Sequence, residues 1–448
     1  MEETFVVIGG DAAGMSAASK AKRDDPSLEV IVFERGEWVS YAACGMPYFI
    51  KGEVDQLTDL VNIPAEQFRS ERDIDLRTGH EVVEIDPEAG YVIVEAGDTQ
   101  FEQQFDHLLI GVGARAIKPP FNGMDLDGIF TVQAMDEAGA IDRFIRENGP
   151  EEAAIVGGGY IGVEMAEALA GRGLSVRLFE MESRVMLPFG EAVSMTVVEH
   201  LEAVGVDVHL ETAVEGFHGK QRVEAVQTSM GRFGADLVIV GVGVEPRVNL
   251  ATEAGIELGP TGAIATDTYG QTNLDDIYAA GDCAEARFVV TNEPTYVPLA
   301  LTANRAGRAI GQTVTGSPTE IGPIAETAIV KAFELGAARS GIIEETRARD
   351  AGFDPVSVTI TDRSRSGYYP GSEPLTVTLL ADRAKGLLLG GSIVGREGAK
   401  RIDTIATALH AGMTVAEVER LDLAYAPPFS PTWDPILTAA KVLNGRLD

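Results

Sequence analysis

The residue best suited to covalent chemistry in this 448-residue chain is Cys44, in the stretch Ser40-Tyr-Ala-Ala-Cys44-Gly-Met-Pro47. Pro47 suits the first turn of a helix, which would place the sulfur at a positive helix end, where a thiolate is favoured. The chain has one other cysteine, Cys283, far along the sequence. Two such distant cysteines form no disulfide framework and indicate a reducing, intracellular setting. The sequence therefore predicts one nucleophilic thiol, at Cys44.

Two glycine-rich loops could hold nucleotides. The first is Gly9-Gly10-Asp11-Ala12-Ala13-Gly14 and the second is Gly157-Gly158-Gly159-Tyr160-Ile161-Gly162. Between a strand and a helix, such a loop lets the backbone approach a pyrophosphate, whose charge the helix N-terminus stabilises. Glu34 and Glu180 follow as acceptors for ribose hydroxyls. Asp11 replaces the middle glycine, so its side chain must point away from the phosphates. This internal repeat predicts two dinucleotide folds.

The second loop also indicates the cofactor. A carboxylate at Glu180 repels the 2′-phosphate of NADP, so the sequence favours NADH over NADPH. Arg184 lies four residues on and offsets part of this repulsion.

The elements that position these loops alternate between strands and helices, which is typical of parallel sheets covered by helices. Buried strands are predicted at Phe5–Ile8, Val30–Phe33, His107–Ile110, Ala153–Val156, Val176–Phe179, Leu237–Val240 and Ile277–Ala280. The later pattern predicts antiparallel strands at Val356–Thr361, Leu375–Leu380 and Leu387–Val394, and helices at Lys400–Ala411 and Val415–Arg420. We predict an α/β fold with two Rossmann-like domains, at 1–115 with 250–325 and at 116–249, and a C-terminal α+β domain at 326–448.

Net charge excludes some classes of function. With 36 Lys and Arg against 69 Asp and Glu, the chain carries −33. It lacks the basic excess that nucleic acids or anionic membranes require. The carboxylates are dispersed, which indicates a salt-adapted, halophilic cytosol rather than a basic substrate; an ordinary acidic protein is the alternative. No signal-peptide pattern and no long apolar stretch occurs, so we expect a cytoplasmic protein without a membrane anchor. No residue cluster predicts a metal site.

The order of these signals, with Gly111-Val-Gly113, Gly241-Val-Gly243 and the segment Thr272–Asp282, resembles the flavoprotein disulfide reductases with two dinucleotide folds, the pyridine nucleotide-disulfide oxidoreductase family. The resemblance implies FAD in the first fold, NAD(P)H in the second, and Asp282 on the flavin ribityl chain. Cys283 is expected only to open a helix. Implied cofactor contacts are Gly9, Gly10, Asp11, Ala12, Ala13, Gly14, Glu34, Arg35, Val82, Gly113, Asp282, Ala300, Gly157, Gly159, Tyr160, Ile161, Gly162, Glu180 and Gly243.

Most members of that family carry a cysteine pair against the flavin. Here Val39 stands where the partner thiol would be, so Cys44 must pair with a sulfur from outside. This is similar to the single-cysteine branch of coenzyme A-disulfide reductases, NADH oxidases and peroxidases, and persulfide reductases. The segments Tyr368–Gly371 and Leu421–Pro435 resemble the coenzyme A-disulfide reductases in particular. Ala12 replaces the histidine that the peroxide-reducing members carry, which favours disulfide chemistry.

The resemblance also implies a substrate site and a homodimer with an active site shared between subunits. Tyr425 and Tyr368, with Tyr369 as a weaker candidate, would approach the active site of the other subunit. Two positions depart from the family, Ala43 for an asparagine and Trp433 for a lysine of some members. Coenzyme A contacts are implied at Ser16, Lys20 and Arg23, which share one helix face, and at Ser40, Arg72 and Asn304.

The function predicted is an FAD-dependent NAD(P)H:disulfide oxidoreductase that reduces coenzyme A disulfide to two thiols through a mixed disulfide of coenzyme A with Cys44. One alternative is reduction of persulfide, polysulfide or elemental sulfur at the same Cys44. Another is an NADH oxidase that makes water or peroxide, and a third is a non-enzymatic, redox-gated flavoprotein.

Overall fold

The computed structural model describes residues 3–447, so Met1, Glu2 and Asp448, at the outer ends of the first and third predicted domains, lie outside the described residues. The first nucleotide-binding unit begins with a buried strand, a glycine-rich loop and a helix. The elements up to residue 116 are β1 (Thr4–Ile8), α1 (Ala12–Asp24), β2 (Glu29–Glu34), α2 (Met46–Lys51), α3 (Ala65–Arg72), β3 (Asp75–Thr78), β4 (Glu81–Asp86), β5 (Tyr91–Ala96), β6 (Thr99–Gln104), β7 (His107–Ile110) and β8 (Ala114–Ala116).

The second unit repeats this plan. Its elements are β9 (Ile129–Phe130), α4 (Met135–Asn148), β10 (Glu152–Val156), α5 (Tyr160–Gly171), β11 (Ser175–Phe179), α6 (Glu191–Ala203), β12 (Asp207–His209), β13 (Val214–Gly219), β14 (Val223–Thr228), β15 (Gly231–Gly234), β16 (Leu237–Val240), β17 (Val244–Pro246) and α7 (Asn249–Glu253). A parallel sheet in the order β12-β11-β10-β16-β9 forms its centre.

The chain then returns to the first unit through β18 (Ile277–Ala279), β19 (Ala286–Arg287), β20 (Pro294–Thr295) and α8 (Ala300–Val314). Strand β18 completes a parallel sheet in the order β18-β7-β1-β2-β3. Helix α8 can pack closely on α1 because Gly307 and Gly311 have no side chain. A Cβ atom at either position would overlap the backbone of Ala13 or Ala17.

The C-terminal region is antiparallel. It contains β21 (Ala328–Ala332), β22 (Leu335–Gly341), α9 (Glu345–Asp350), β23 (Pro355–Arg363), β24 (Pro374–Asp382), β25 (Leu388–Gly395), α10 (Ile402–His410), α11 (Val415–Glu419) and α12 (Pro435–Asn444). The sheet order is β21-β22-β25-β24-β23. Every residue of β25 is buried, because α10 and the α6 helix of the second unit both pack against it.

The predicted fold class is confirmed, and the predicted strands lie where the apolar runs indicated. Two antiparallel meanders, β4-β5-β6 and β13-β14-β15, were missed. Each meander precedes a strand that pairs with the strand before the glycine-rich loop, β7 with β1 and β16 with β10, so the internal repeat extends further than the loops showed. The domain limits given above stay a prediction. In the described part of the chain, no helix has both the length and the apolar character that crossing a membrane requires.

Helix α2, which follows Cys44, packs into the second unit rather than the first. Its residues Phe49 and Ile50 share an apolar core with Val163 of α5 and with Val330 of β21. Ile50 is fully buried, and burial of such a side chain contributes about 2 kcal/mol. The segment that carries Cys44 is therefore held by parts of all three predicted domains.

Candidate active site

The two glycine-rich loops have the same geometry. Gly9 and Gly157 both have positive φ, 110° and 103°. A Cβ atom on Gly9 would overlap the carbonyl of Gly111, and one on Gly157 would overlap the carbonyl of Gly241. The helices α1 and α5 that follow begin without a side-chain cap. Their first N–H groups are thus free to bind a phosphate, which fits the nucleotide cofactors that the loops predict.

The acidic residue of each repeat supports its own loop. The Glu34 carboxylate accepts hydrogen bonds from the N–H groups of Gly10 at 2.8 Å and Gly36 at 2.7 Å. The Glu180 carboxylate accepts hydrogen bonds from the N–H groups of Gly158 at 2.7 Å and Glu182 at 2.9 Å. Each carboxylate oxygen keeps lone pairs, so acceptance of ribose hydroxyls stays a prediction for both.

Asp11 points away from the start of α1, as its position requires. Its Oδ1 accepts a hydrogen bond from the backbone N–H of Tyr41 at 3.1 Å. Burial, and then the nearby carboxylates of Glu34 and Asp282, raise the pKa of Asp11 to about 6. The phosphate side of the loop is therefore left clear.

Cys44 lies in a short 3-10 turn, Ala43–Gly45, directly before α2, and is exposed to solvent. The prediction of a favoured thiolate is wrong for the protein by itself. Partial burial of the sulfur, and then the nearby carboxylates of Glu164, Asp282 and Asp11, raise the pKa of the Cys44 thiol. A six-residue helix such as α2 does not overcome this combined effect.

Cys283 also differs from its expectation. It lies in a turn after β18 and opens no helix. It is fully buried, and its Sγ donates weak hydrogen bonds to the carbonyls of Ile110 and Ala280, both at 3.4 Å. Burial raises its pKa to about 11, so Cys283 is an inert core residue.

Asp282 lies where the first sheet meets α8. Its backbone carbonyl accepts a hydrogen bond from the hydroxyl of Tyr296 at 2.9 Å, and burial raises the pKa of its carboxyl group to about 6. The preceding Gly281 packs against Ala13 of the first loop. The structure thus brings Asp282 close to the first loop, although the two are far apart in the sequence.

Sequence reasoning missed Glu164, on α5. Burial, and secondarily Glu167, raise the pKa of Glu164 to about 7. Glu167, one turn further along α5, forms ion pairs with both Lys51 and Lys331, whereas Glu164 forms none with any of residues 3–447. The available signal was an acidic residue two positions after the second loop.

The implied substrate residues come together along α1 and α8. The Ser16 hydroxyl donates to Asn304 at 2.6 Å, and Arg72 donates to Ser19, on the same helix, at 3.0 Å. Lys20 pairs with Asp24 at 2.6 Å, which neutralises part of its charge. Arg23 is exposed at the end of α1.

Two further residues bear on the implied substrate site. Ser40 has a left-handed backbone, with φ 48°, and its N–H donates to the carbonyl of Gly10 at 2.9 Å. Arg308, which sequence reasoning missed, is exposed one turn after Asn304 on α8. It could have been found from its i, i+4 spacing to Asn304.

The remaining residues of the implied cofactor set lie on both units. Arg35 is 3.9 Å from Glu81, and Val82 is buried in β4. Gly113 and Gly243 both have positive φ and lie directly before β8 and β17. Tyr160 packs its ring on Phe189, with centroids 5.3 Å apart. Ile161 packs against the same core as Tyr160, and Ala300 begins α8.

Arg184 does not stand free beside Glu180. Its guanidinium donates to the carboxylate of Glu344, in the C-terminal region, at 2.8 Å. The positive charge that would offset the repulsion of a 2′-phosphate is therefore engaged elsewhere.

The C-terminal region carries five exposed aromatic side chains, Tyr368, Tyr369, Tyr425, Phe429 and Trp433. Hydrogen bonds with Thr432, Tyr368 and Ser366 lower the pKa of Tyr425. The structure thus brings Tyr368 and Tyr425 together, on a different domain from Cys44.

Comparison with known proteins matches the whole arrangement. Residues 3–307 match the family described as pyridine nucleotide-disulphide oxidoreductase, and residues 327–435 match its dimerisation domain. An "NAD(P)H sulfur oxidoreductase (CoA-dependent)" of Pyrococcus abyssi is 38% identical over 444 residues, 99% of each chain. A "Coenzyme A disulfide reductase" of Staphylococcus haemolyticus is 31% identical over 430 residues, 95% of this chain and 96% of that one.

Solved structures agree with these relatives. Reduced Bacillus anthracis CoADR-RHD has a TM-score of 0.97 at 32% identity, covering all of this chain and 81% of that one. An NAD-dependent persulfide reductase from A. fulgidus has a TM-score of 0.96 at 36% identity, covering 99% of this chain and 83% of that one.

Proposed function

The chain belongs to the pyridine nucleotide-disulphide oxidoreductase family, which uses FAD and NAD(P)H, and on this premise we propose that it reduces coenzyme A disulfide. The balanced reaction is NADH + H⁺ + coenzyme A disulfide → NAD⁺ + two coenzyme A thiols. The observation that carries the proposal is Cys44, an exposed thiol before α2, together with a second cysteine that is buried and inert. A single accessible thiol cannot close a disulfide within the chain, so it must pair with the substrate.

Each nucleotide has a site of its own. The first loop, with Glu34 and Asp282, would hold FAD, and the second loop, with Glu180, would hold NADH. When bound, FAD would take a hydride from NADH and supply two electrons to sulfur at Cys44. The uncapped starts of α1 and α5 would bind the pyrophosphates of the two cofactors.

Cys44 would act in two steps. Its thiolate attacks one sulfur of the disulfide, which forms a Cys44–coenzyme A mixed disulfide and releases one coenzyme A thiolate that takes up a proton. Two electrons and one proton then cleave the mixed disulfide, which releases the second coenzyme A as thiol and restores the Cys44 thiolate. Tyr425 and Tyr368 of the partner subunit are the proposed donors of the proton to the leaving sulfur.

The nucleotide part of coenzyme A would lie along the solvent-facing side of α1 and α8. The side chains of Ser16 and Asn304 are hydrogen-bonded to each other there, and Arg308 lies one turn beyond Asn304. Lys20, Arg23 and Arg72 add positive charge from α1 and α3. These side chains would give a −33 protein a local site for an acidic substrate.

The decisive experiment is the mass of the untreated protein under denaturing, non-reducing conditions. The proposal expects an adduct of coenzyme A size on Cys44 that dithiothreitol removes. Anaerobic NADH consumption with coenzyme A disulfide must then exceed the rate without it. Consumption that requires oxygen and ignores the disulfide would instead indicate an NADH oxidase.

A second candidate is reduction of a coenzyme A persulfide or polysulfide at the same Cys44. It is favoured by identity, since the sulfur oxidoreductase relative is 38% identical and the disulfide reductase relative 31%. Steady-state rates with coenzyme A disulfide and coenzyme A persulfide, measured side by side, separate the two. The substrate with the higher kcat/KM is the better assignment.

We further propose a homodimer in a salt-rich cytoplasm. The match to the dimerisation domain and the exposed aromatic side chains of the C-terminal region, with Phe429 at 76% exposure, support the dimer. The dispersed carboxylates support the salt-rich setting, because concentrated salt screens their repulsion. Sedimentation at low and high KCl tests both proposals.

A further inference from the structure

The two nucleotide-binding units share more than their loops. In the first, Ser40 is left-handed and its N–H donates to the carbonyl of Gly10 at 2.9 Å. In the second, Met186 is left-handed, with φ 51°, and its N–H donates to the carbonyl of Gly158 at 2.8 Å. The segment that leads to Cys44 therefore occupies the place that the segment after Met186 occupies in the second unit.

The repeats differ at the third position of the loop, which is Asp11 in the first and Gly159 in the second. The difference matters for the next backbone donor. Tyr41 N–H, directly after Ser40, is bound by the Asp11 carboxyl group at 3.1 Å. Gly159 offers no such acceptor to Leu187, the residue at the matching place.

The Cys44 segment needs this support. Ser40 is held in a left-handed backbone, which costs a non-glycine residue about 1 kcal/mol. Two further backbone hydrogen bonds hold the other side of the segment. The N–H of Ala42 donates to the carbonyl of Leu60 at 2.8 Å, and the N–H of Asn62 donates to the carbonyl of Ser40 at 2.8 Å. On the side of the first glycine-rich loop, the Asp11 carboxyl group supplies the hydrogen bond that holds the segment.

We propose that Asp11 is a positioning residue for Cys44. Its carboxyl group accepts the hydrogen bond from Tyr41 N–H, and this bond holds the segment that carries the reacting sulfur against the first glycine-rich loop. The inference relies on the proposed function only in taking Cys44 as the reacting thiol. Its charge also acts on that thiol. Asp11, with Asp282 and Glu164, is one of the carboxylates that raise the pKa of Cys44, and Glu34 faces Asp11 from β2.

Two variants separate the hydrogen bond from the charge. Asp11→Asn keeps an acceptor oxygen and removes the charge, whereas Asp11→Gly removes both and restores the residue type of the second loop. Both are compared with the original protein in the FAD-loaded state. Amide hydrogen exchange is measured at Tyr41, with Met186 as the matched donor of the second repeat. The thiol pKa of Cys44 is measured from the pH dependence of its alkylation by iodoacetamide.

In Asp11→Gly, exchange at Tyr41 should be about tenfold faster, because a hydrogen bond to a charged group is lost, while Met186 is unchanged. Asp11→Asn should restore most of the protection. Both variants should lower the Cys44 thiol pKa. Any one of three results would overturn the inference. They are an exchange rate at Tyr41 in Asp11→Gly equal to that of the original protein, exchange in Asp11→Asn as fast as in Asp11→Gly, and a Cys44 thiol pKa that neither variant changes. Neither measurement requires disulfide turnover, so failure of the proposed function would leave this result standing.

Discussion

The ammonium group of Lys51 lies 2.8 Å from the carboxylate of Glu167, and this pair joins α2, the helix after Cys44, to α5, the helix after the second glycine-rich loop. Lys331, on β21, reaches the same carboxylate at 2.9 Å, and the N–H of Phe333 donates to it at 2.7 Å. One buried carboxylate thus connects all three predicted domains directly beside the candidate active site.

Glu167→Gln is expected to destabilise the protein. Glu167 is 5% exposed, and removal of one partner from a buried ion pair costs about 3 kcal/mol. Thermal unfolding at pH 7 should show a lower midpoint. The control is Glu53→Gln, which also removes a partner of Lys51 but at a half-exposed site, where the cost is below about 1 kcal/mol. Equal midpoints for the two variants would contradict this role.

The stability that Glu167 provides should depend on pH. Although burial opposes it, hydrogen bonds from Lys51 and Lys331 hold the pKa of Glu167 below its ordinary value of 4.5. A depressed carboxyl pKa gives stability that is present above pH 4.5 and is lost as pH falls through the lower, folded-state pKa. The difference in unfolding midpoint between the original protein and Glu167→Gln should therefore shrink on acidification below pH 4.5.

Cys44→Ser should retain FAD, measured by its absorbance, and lose disulfide reduction by at least about a thousandfold, because the nucleophile is gone. Cys283→Ser is the matched control. Its hydroxyl can keep the hydrogen bonds to Ile110 and Ala280, so activity should change little. Retained turnover in Cys44→Ser would exclude the mixed-disulfide mechanism.

Glu164→Gln should make Cys44 more reactive above neutral pH. The pKa of Glu164 is raised to about 7, so its carboxylate is charged at pH 8 and raises the pKa of the Cys44 thiol there. Alkylation of Cys44 by iodoacetamide should be a few-fold faster in the variant at pH 8 and unchanged at pH 6, where Glu164 is mostly neutral. An equal acceleration at both pH values would show that the effect is not electrostatic.

Glu344→Gln should weaken the preference for NADH. Arg184 loses its charged partner at 2.8 Å and becomes available to a 2′-phosphate near Glu180. The ratio of kcat/KM for NADH to that for NADPH should fall about tenfold. Glu345→Gln, which affects the neighbouring pair with Arg349, is the control and should leave the ratio unchanged. A ratio that stays constant in Glu344→Gln would show that Arg184 plays no part in cofactor choice.

The double variant Tyr425→Phe, Tyr368→Phe should lower kcat about a hundredfold, because the leaving coenzyme A sulfur loses its proton donors. Hydrogen bonds with Thr432, Tyr368 and Ser366 lower the pKa of Tyr425, so turnover of the original protein should decline as pH rises through that value. Tyr369→Phe should behave like the original protein. Normal turnover by the double variant would remove both tyrosines from the mechanism.

The sequence by itself determined the two nucleotide-binding units, the antiparallel C-terminal domain and the lone accessible thiol. Those features depend on local patterns: glycines at fixed spacing, short apolar runs, and the count of cysteines. It missed the two meanders, in part because some of their strands, such as β6, consist mostly of polar residues.

Only the tertiary structure decided the electrostatics of the candidate site. The direction of the Cys44 pKa shift depends first on burial of the sulfur and then on Glu164 and Asp282, which belong to α5 and to the turn after β18. Likewise, Arg184 is engaged by Glu344, 160 positions away, and Asp11 by Tyr41. Burial and charge act through distances in space, and those distances exist only once strands and helices far apart in the chain have packed together.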